Sequence, residues 1–261
     1  MPKLAANLSW LYQDIPLMQR FAAAASHGFK AVEILFPYEA PPTEIAAELK
    51  KHRLTQALFN LPPGDWAKGE RGIAALPGRE AEFSAALDKA LDYAQHLECR
   101  TLHIMSGLIP QHGDVTAMHR TFIGNVKRAC DRTAKSGLTL VMEPINRRDI
   151  PGYFTNTTDQ VKAIIDEVGA PHLKLQLDLY HMQVTEGDLV RRTEKLFPIT
   201  AHVQIAGNPE RNEPDVGEAN HMHLLEVLDR LGFQGYVGLE YKPRTTTAAG
   251  LGWATKYGIK V

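Results

Sequence analysis

Eight short runs rich in leucine and β-branched residues recur along the chain, at positions 4–8, 31–36, 54–60, 101–105, 138–143, 173–178, 199–205 and 236–240. Between them, stretches such as 81–97 and 115–134 carry apolar residues at helical spacing. Strand and helix therefore alternate, and eight units in 261 residues average about 33 residues each, the size of a βα unit in a closed parallel barrel. Three junctions look alike: Gly28-Phe29 before Glu33, Gly137-Leu138 before Glu143, and Gly232-Phe233 before Glu240. Each glycine is placed to end a helix in the left-handed conformation. No G-x-G-x-x-G or P-loop pattern follows a strand, which weakens the nucleotide-binding open sheets as rival folds. The expectation is an α/β protein, a single (β/α)8 TIM barrel spanning 1–261, whose extension at 245–261 packs on the barrel or lies at an interface.

Links from helix to strand are short, whereas links leaving strands are long, at 61–77, 106–114, 144–156 and 206–217. In a parallel barrel all strand C-termini open on one face, and the surplus residues gather where active sites are built. The loop at 61–77 holds Trp66 among glycines and prolines, in the manner either of a hinged lid or of a rigid wall.

Charge narrows the partners. Lysine plus arginine number 29 and aspartate plus glutamate 30, without a long run of one sign. Capture of nucleic acid needs a basic face, so a small-molecule substrate is expected and nucleic acid is not; a homo-oligomer is compatible. Cys99 and Cys130 have neither the number nor the spacing of a disulfide framework or a zinc knuckle. With no secretory signal and no apolar run of ~20 residues, the expectation is a cytoplasmic protein without a membrane partner.

Four strand ends stop on an oxygen-bearing side chain: Glu143, Asp178, Gln204 and Glu240. Side chains alternate along a strand, so Asp178 shares its face with Gln176 and Lys174 while Leu173, Leu175 and Leu177 take the other. By the same parity Gln204 goes with His202, and Glu240 with Gly238, which leaves room at the barrel axis. A carboxylate aimed into a barrel costs several kcal/mol unless it is paired, protonated or bound to a cation. Three at neighbouring strand ends favour a divalent metal, and oxygen donors suit Mg2+ or Mn2+ better than zinc. The alternative is salt bridging to Arg147, Lys174 or Lys242.

These strand ends, the loop G-E-R-G-I-A-A-L-P-G-R (69–79), the run A-H-V-Q-I-A-G-N-P-E-R-N-E-P-D-V-G-E (201–218) and the ending E-Y-K-P resemble the hydroxypyruvate isomerase family, including the 2-oxo-tetronate isomerases, within the xylose-isomerase-like barrels. The resemblance runs from Ala5 to the G-L-G-W beginning at Gly250. It implies a divalent metal held by Glu143, Asp178, Gln204 and Glu240, with Glu143 and Glu240 as the acid–base pair of an aldose–ketose isomerisation through an enediolate. Hydroxypyruvate to tartronate semialdehyde is the first reaction it suggests and 2-oxo-tetronate to 3-oxo-tetronate the second. Sugar 3-epimerases of the superfamily often carry histidine where this chain has Gln204, which argues against that alternative. Endonuclease IV relatives crowd extra histidines around zinc, and a barrel used only for binding is a further remote alternative.

His181, in the D-x-x-H arrangement that begins at Asp178, is a candidate to hydrogen-bond a substrate oxygen, or else caps a loop. Arg71, Arg147 and Lys242 are candidates to grip a substrate carboxylate, for which a planar guanidinium is suited. His103 faces as Thr101 and Met105 do, either toward the pocket or as a core histidine.

Overall fold

The computed structural model describes residues 1–261. Its strands are β1 (Lys3–Asn7), β2 (Ala31–Glu33), β3 (Thr55–Asn60), β4 (Thr101–His103), β5 (Thr139–Met142), β6 (Leu173–Asp178), β7 (Thr200–Ile205) and β8 (Tyr236–Leu239). All pair in parallel and in chain order, and β8 returns to β1 to close the barrel. Helices α1 (Leu17–Ser26), α2 (Pro42–His52), α3 (Glu80–Leu97), α4 (Val115–Thr133), α5 (Thr158–Val168), α6 (Leu179–Thr185), α7 (Leu189–Leu196) and α8 (His221–Arg230) lie between strands, with a last turn α9 (Thr247–Gly250) beyond β8. The expected eight-unit alternation is what the chain forms. Gly28, Gly137 and Gly232 all have positive φ, as their place at helix-to-strand junctions requires.

Strand parity sorts the chemistry. Leu173, Leu175 and Leu177 join the apolar core between sheet and helices, while Gln176 and Asp178 take the opposite parity and Gln176 bonds Gln204 inside the barrel. β4 is shorter than its apolar run. Beyond His103 the chain turns to hold the third loop, where Gly72 bridges Ser106 and the Ala75 N–H donates to the Ser106 carbonyl at 2.8 Å. Leu61, Ile73, Ala74 and Ala75 are buried, so the stem of that loop is a packed wall.

In the C-terminal extension Leu251, Ala254 and Ile259 are buried in the main core. The Lys260 N–H bonds the His27 carbonyl at 2.8 Å, and Thr247 Oγ1 accepts from the Tyr12 N–H at 2.7 Å. The extension is thus seated against the segments that flank α1. No helix is long and apolar enough to cross a membrane.

Candidate active site

A cavity of about 640 Å3 opens at the C-terminal ends of the strands. Glu143, one residue past β5, Glu240, one past β8, and His181 in α6 all line it. Asp178, the last residue of β6, is also the N-cap of α6. Its Oδ1 accepts from the N–H groups of Tyr180 (2.7 Å) and His181 (3.1 Å), which starts the helix and leaves Oδ2 for the site. Glu143, Asp178 and His181 bring one ligand atom each to within 4.8 Å of one another, and all three are buried.

The protons on this cluster follow from its bonds. Asn146 Nδ2 donates to His181 Nδ1 at 2.6 Å, and the Asp149 N–H donates to Asn146 Oδ1 at 2.8 Å, which fixes which way the Asn146 amide points. Burial, with the nearby charges of Arg211 and Arg148, holds His181 well below the usual histidine range. A neutral imidazole that accepts at Nδ1 carries its proton on Nε2. That N–H faces Glu143 Oε1 at 3.7 Å and Asp178 Oδ2 at 3.8 Å. His181 is therefore set up as a donor toward the cavity, and cation-binding capacity rests with the carboxylates.

Burial and the charges of Glu240 and Asp178 push Glu143 well above the carboxylate range. Asp178 is raised by burial against the opposing pull of Arg211. Burial likewise pushes Glu240 up to about 8, again opposed by Arg211. Arg211 Nη2 is 2.7 Å from Glu240 Oε1 and 3.9 Å from Asp178 Oδ2, and the guanidinium lies between the rings of Trp10 and Tyr180 at 4.6 and 4.8 Å. One guanidinium balances one of three carboxylates. Glu143 Oε1 and Asp178 Oδ2 are buried without any hydrogen-bond partner, so two orphaned oxygens on neighbouring carboxyl groups fit a hard divalent cation, whose binding would favour their ionised forms.

The remaining expected residues are placed as follows. Gln204 lies directly across from Asp178 in the β6–β7 register. Its Nε2 donates to Glu33 Oε2 at 3.0 Å and its Oε1 accepts from Gln176 at 2.6 Å, so its amide is engaged in the barrel interior. His103 is buried, with Nδ1 at 3.1 Å from Asn60 Oδ1 and 3.7 Å from Glu143 Oε2, and it does not line the cavity. Burial takes it down to about 3, so it stays neutral. Arg71 and Lys242 line the cavity. Arg147 is exposed and does not; the loop after β5 turns the neighbouring Arg148 inward onto the Tyr180 hydroxyl at 2.8 Å instead.

Two residues central to this arrangement stand outside the expected set. Arg211 sits in the loop after β7 in left-handed conformation, where period carries no information. Glu33 ends β2 with the same apolar-then-glutamate pattern as Glu143 and Glu240, a signal the sequence does contain. It is fully buried and bonds Asn7 Nδ2 (2.9 Å), Gln204 and His202. Gly238 does leave room at the axis, and the Glu33 carboxylate fills it.

The family model for the xylose isomerase-like TIM barrel matches residues 21–257. A 2-oxo-tetronate isomerase of Cupriavidus necator is 51% identical over 98% of this chain and 99% of its own length. A hydroxypyruvate isomerase of Escherichia coli is 41% identical over 98% and 100%. A crystal structure from Brucella melitensis, described as an AP endonuclease of family 2, superimposes with a TM-score of 0.97 at 49% identity, covering 98% of this chain and 99% of that one.

Proposed function

The chain belongs to the hydroxypyruvate isomerase family, which includes the 2-oxo-tetronate isomerases, and is an isomerase of the aldose–ketose class; from that premise we propose that it interconverts 2-oxo-tetronate and 3-oxo-tetronate, with hydroxypyruvate as the shorter substrate of the same chemistry. The observation that carries this reading is the pair of buried glutamates, Glu143 and Glu240, facing one cavity, with the proton affinity of Glu143 raised well above the carboxylate range and that of Glu240 raised to about 8. The 51% identical relative bearing the 2-oxo-tetronate name puts the four-carbon acid first.

The reaction moves one hydrogen from C3 to C2 and, at the enediolate stage, the hydroxyl proton from O3 to O2, so that the carbonyl passes from C2 to C3. One glutamate, ionised, takes the proton from C3; the other, protonated, returns one to C2; the direction of reaction sets which is which. A carboxyl with its pKa near the working pH serves as acid and base with similar ease. His181 offers its Nε2–H to the substrate oxygen on which negative charge builds, a donor already oriented by Asn146. Arg211 holds Glu240 in place through its 2.7 Å contact. Glu143, Asp178 and Glu240 would hold a divalent cation, which when bound would supply Lewis-acid stabilisation of that developing charge; Gln204, the fourth expected ligand, stands opposite Asp178 with its amide oxygen on Gln176 and would have to release that bond to join them.

Purified protein loaded with Mg2+ or Mn2+ should isomerise 2-oxo-tetronate, and comparison of both enantiomers with hydroxypyruvate ranks the substrates. E143Q and E240Q should each lower kcat by about 100-fold or more, the scale of one acid–base step, while circular dichroism stays that of the parent. Near-normal rates in either variant would remove that residue from its role.

A further inference from the structure

Four cations line the cavity: Arg71, Arg148, Arg211 and Lys242. Two are already matched to carboxylates, Arg211 to Glu240 at 2.7 Å and Asp149 at 3.4 Å, and Arg148 to Asp149 at 3.5 Å. Arg71 and Lys242 form no ion pair. The lining also holds Glu143, Asp149, Glu210 and Glu240, and a guanidinium already engaged by one of these is not free to receive another carboxylate, so an acidic substrate needs cations not already spoken for.

Arg71 is the better prepared of the two. Its guanidinium carbon lies 3.8 Å from the centre of the Trp66 ring. Its Nη1 donates to the Glu70 carbonyl at 2.7 Å and the Trp66 carbonyl at 3.2 Å. One face and one nitrogen are thereby fixed, while the Nε–Nη2 edge makes no bond within the protein. That edge presents two parallel N–H groups, the fork that matches a carboxylate. The backbone behind it is anchored, because the Gly72 N–H donates to the Pro63 carbonyl at 2.8 Å and Gly72 bridges Ser106.

We propose that Arg71 is the specificity-determining residue that receives the substrate's carboxylate on its Nε–Nη2 edge, with Lys242 adding a second positive charge, so that the site selects oxo acids over neutral ketoses. This assignment rests on the reaction proposed above, since it takes the substrate to be an acid. The guanidinium touches neither reacting carbon. It acts in binding and should weaken KM more than kcat when removed.

The test compares the cation-loaded parent with R71M, R71K and K242M. Each is assayed with hydroxypyruvate and with dihydroxyacetone, in which a hydroxymethyl group replaces the carboxylate, as substrate or competing ligand. Calorimetric titration with tartronate, which carries carboxylates but has no carbonyl to isomerise, measures binding without turnover. R71M should lose about 10- to 100-fold in kcat/KM for hydroxypyruvate, mainly through KM, and a similar factor in tartronate affinity, the range expected for a charge-assisted bidentate contact. Dihydroxyacetone binding and Tm should be unchanged. R71K and K242M should lose less. Equal losses on the acid and the neutral ligand, or no loss on the acid, would overturn the assignment. If the parent turns over no oxo acid, the proposed reaction fails, whereas a tartronate affinity that still depends on Arg71 keeps the carboxylate site. A tartronate affinity indifferent to Arg71 removes that site whatever the reaction.

Discussion

Glu33 and Gly238 show how one buried side chain constrains a residue on the far strand of a barrel. The Glu33 carboxylate accepts from Asn7, His202 and Gln204, and fixes the Gln204 amide with its nitrogen toward β2 and its oxygen toward Gln176. Gly238 stands where any Cβ would collide with that carboxylate. G238A should therefore cost about 1–3 kcal/mol, the range for overpacking an interior, read as a lowered urea midpoint with an unchanged m-value. E33A, which leaves three buried donors without an acceptor, should cost at least as much. An unchanged midpoint in both variants would show that the interior polar network does not constrain the fold. Glu33 was legible as a strand-end acid, but its partners were not. Its partner His202 lies 169 positions away in the chain.

Among the elements, the third strand-to-helix link is set apart by how it is tied down. Its stem is held by the Gly72–Ser106 bridge and by Asn125 Nδ2, which donates to the Ala74 carbonyl at 2.9 Å, while Trp66 at the tip is 43% exposed. Gly72 has φ +109°, and a Cβ there would press on the Met105 carbonyl at 2.5 Å. Both the left-handed backbone and the close approach call for glycine. G72A should lower stability by about 1–3 kcal/mol and speed proteolysis within 61–77, as followed by limited digestion and mass spectrometry; a cleavage rate equal to the parent's would count against the stem as the loop's anchor. Glycine and proline mark this segment as a loop in the sequence. They do not say whether it swings or stands, because that depends on Ser106 and Asn125, contributed by other units of the barrel.

At the scale of the whole molecule, site chemistry and folding stability are linked. Glu143, Asp178 and Glu240 are all raised above their ordinary range by burial. A group whose folded pKa exceeds its unfolded one contributes stability that is fully present below the unfolded value, near 4.5 for glutamate, and lost as pH rises through the folded value, about 8 for Glu240. The cation-free protein should thus lose stability between about pH 5 and pH 8. A divalent cation binds the ionised form and should restore it. Calorimetry should give a larger rise in Tm on adding Mg2+ or Mn2+ at pH 8 than at pH 6; an equal or smaller rise at pH 8 would mean that the ion does not engage these carboxylates.

The alternation of eight apolar runs with helical stretches, the glycines between them and the oxygen-bearing strand ends were determined locally, because a period of two or 3.6 residues and a left-handed turn need only near neighbours in the chain. That was enough for the barrel and for the face where its chemistry sits. Tertiary structure decided the rest: that Arg211 answers Glu240, that Asn146 sets the His181 proton, that Glu33 takes the Gln204 amide, and that Arg148 rather than Arg147 faces the cavity. Each depends on groups drawn from parts of the chain far apart in sequence, at distances that only barrel closure creates.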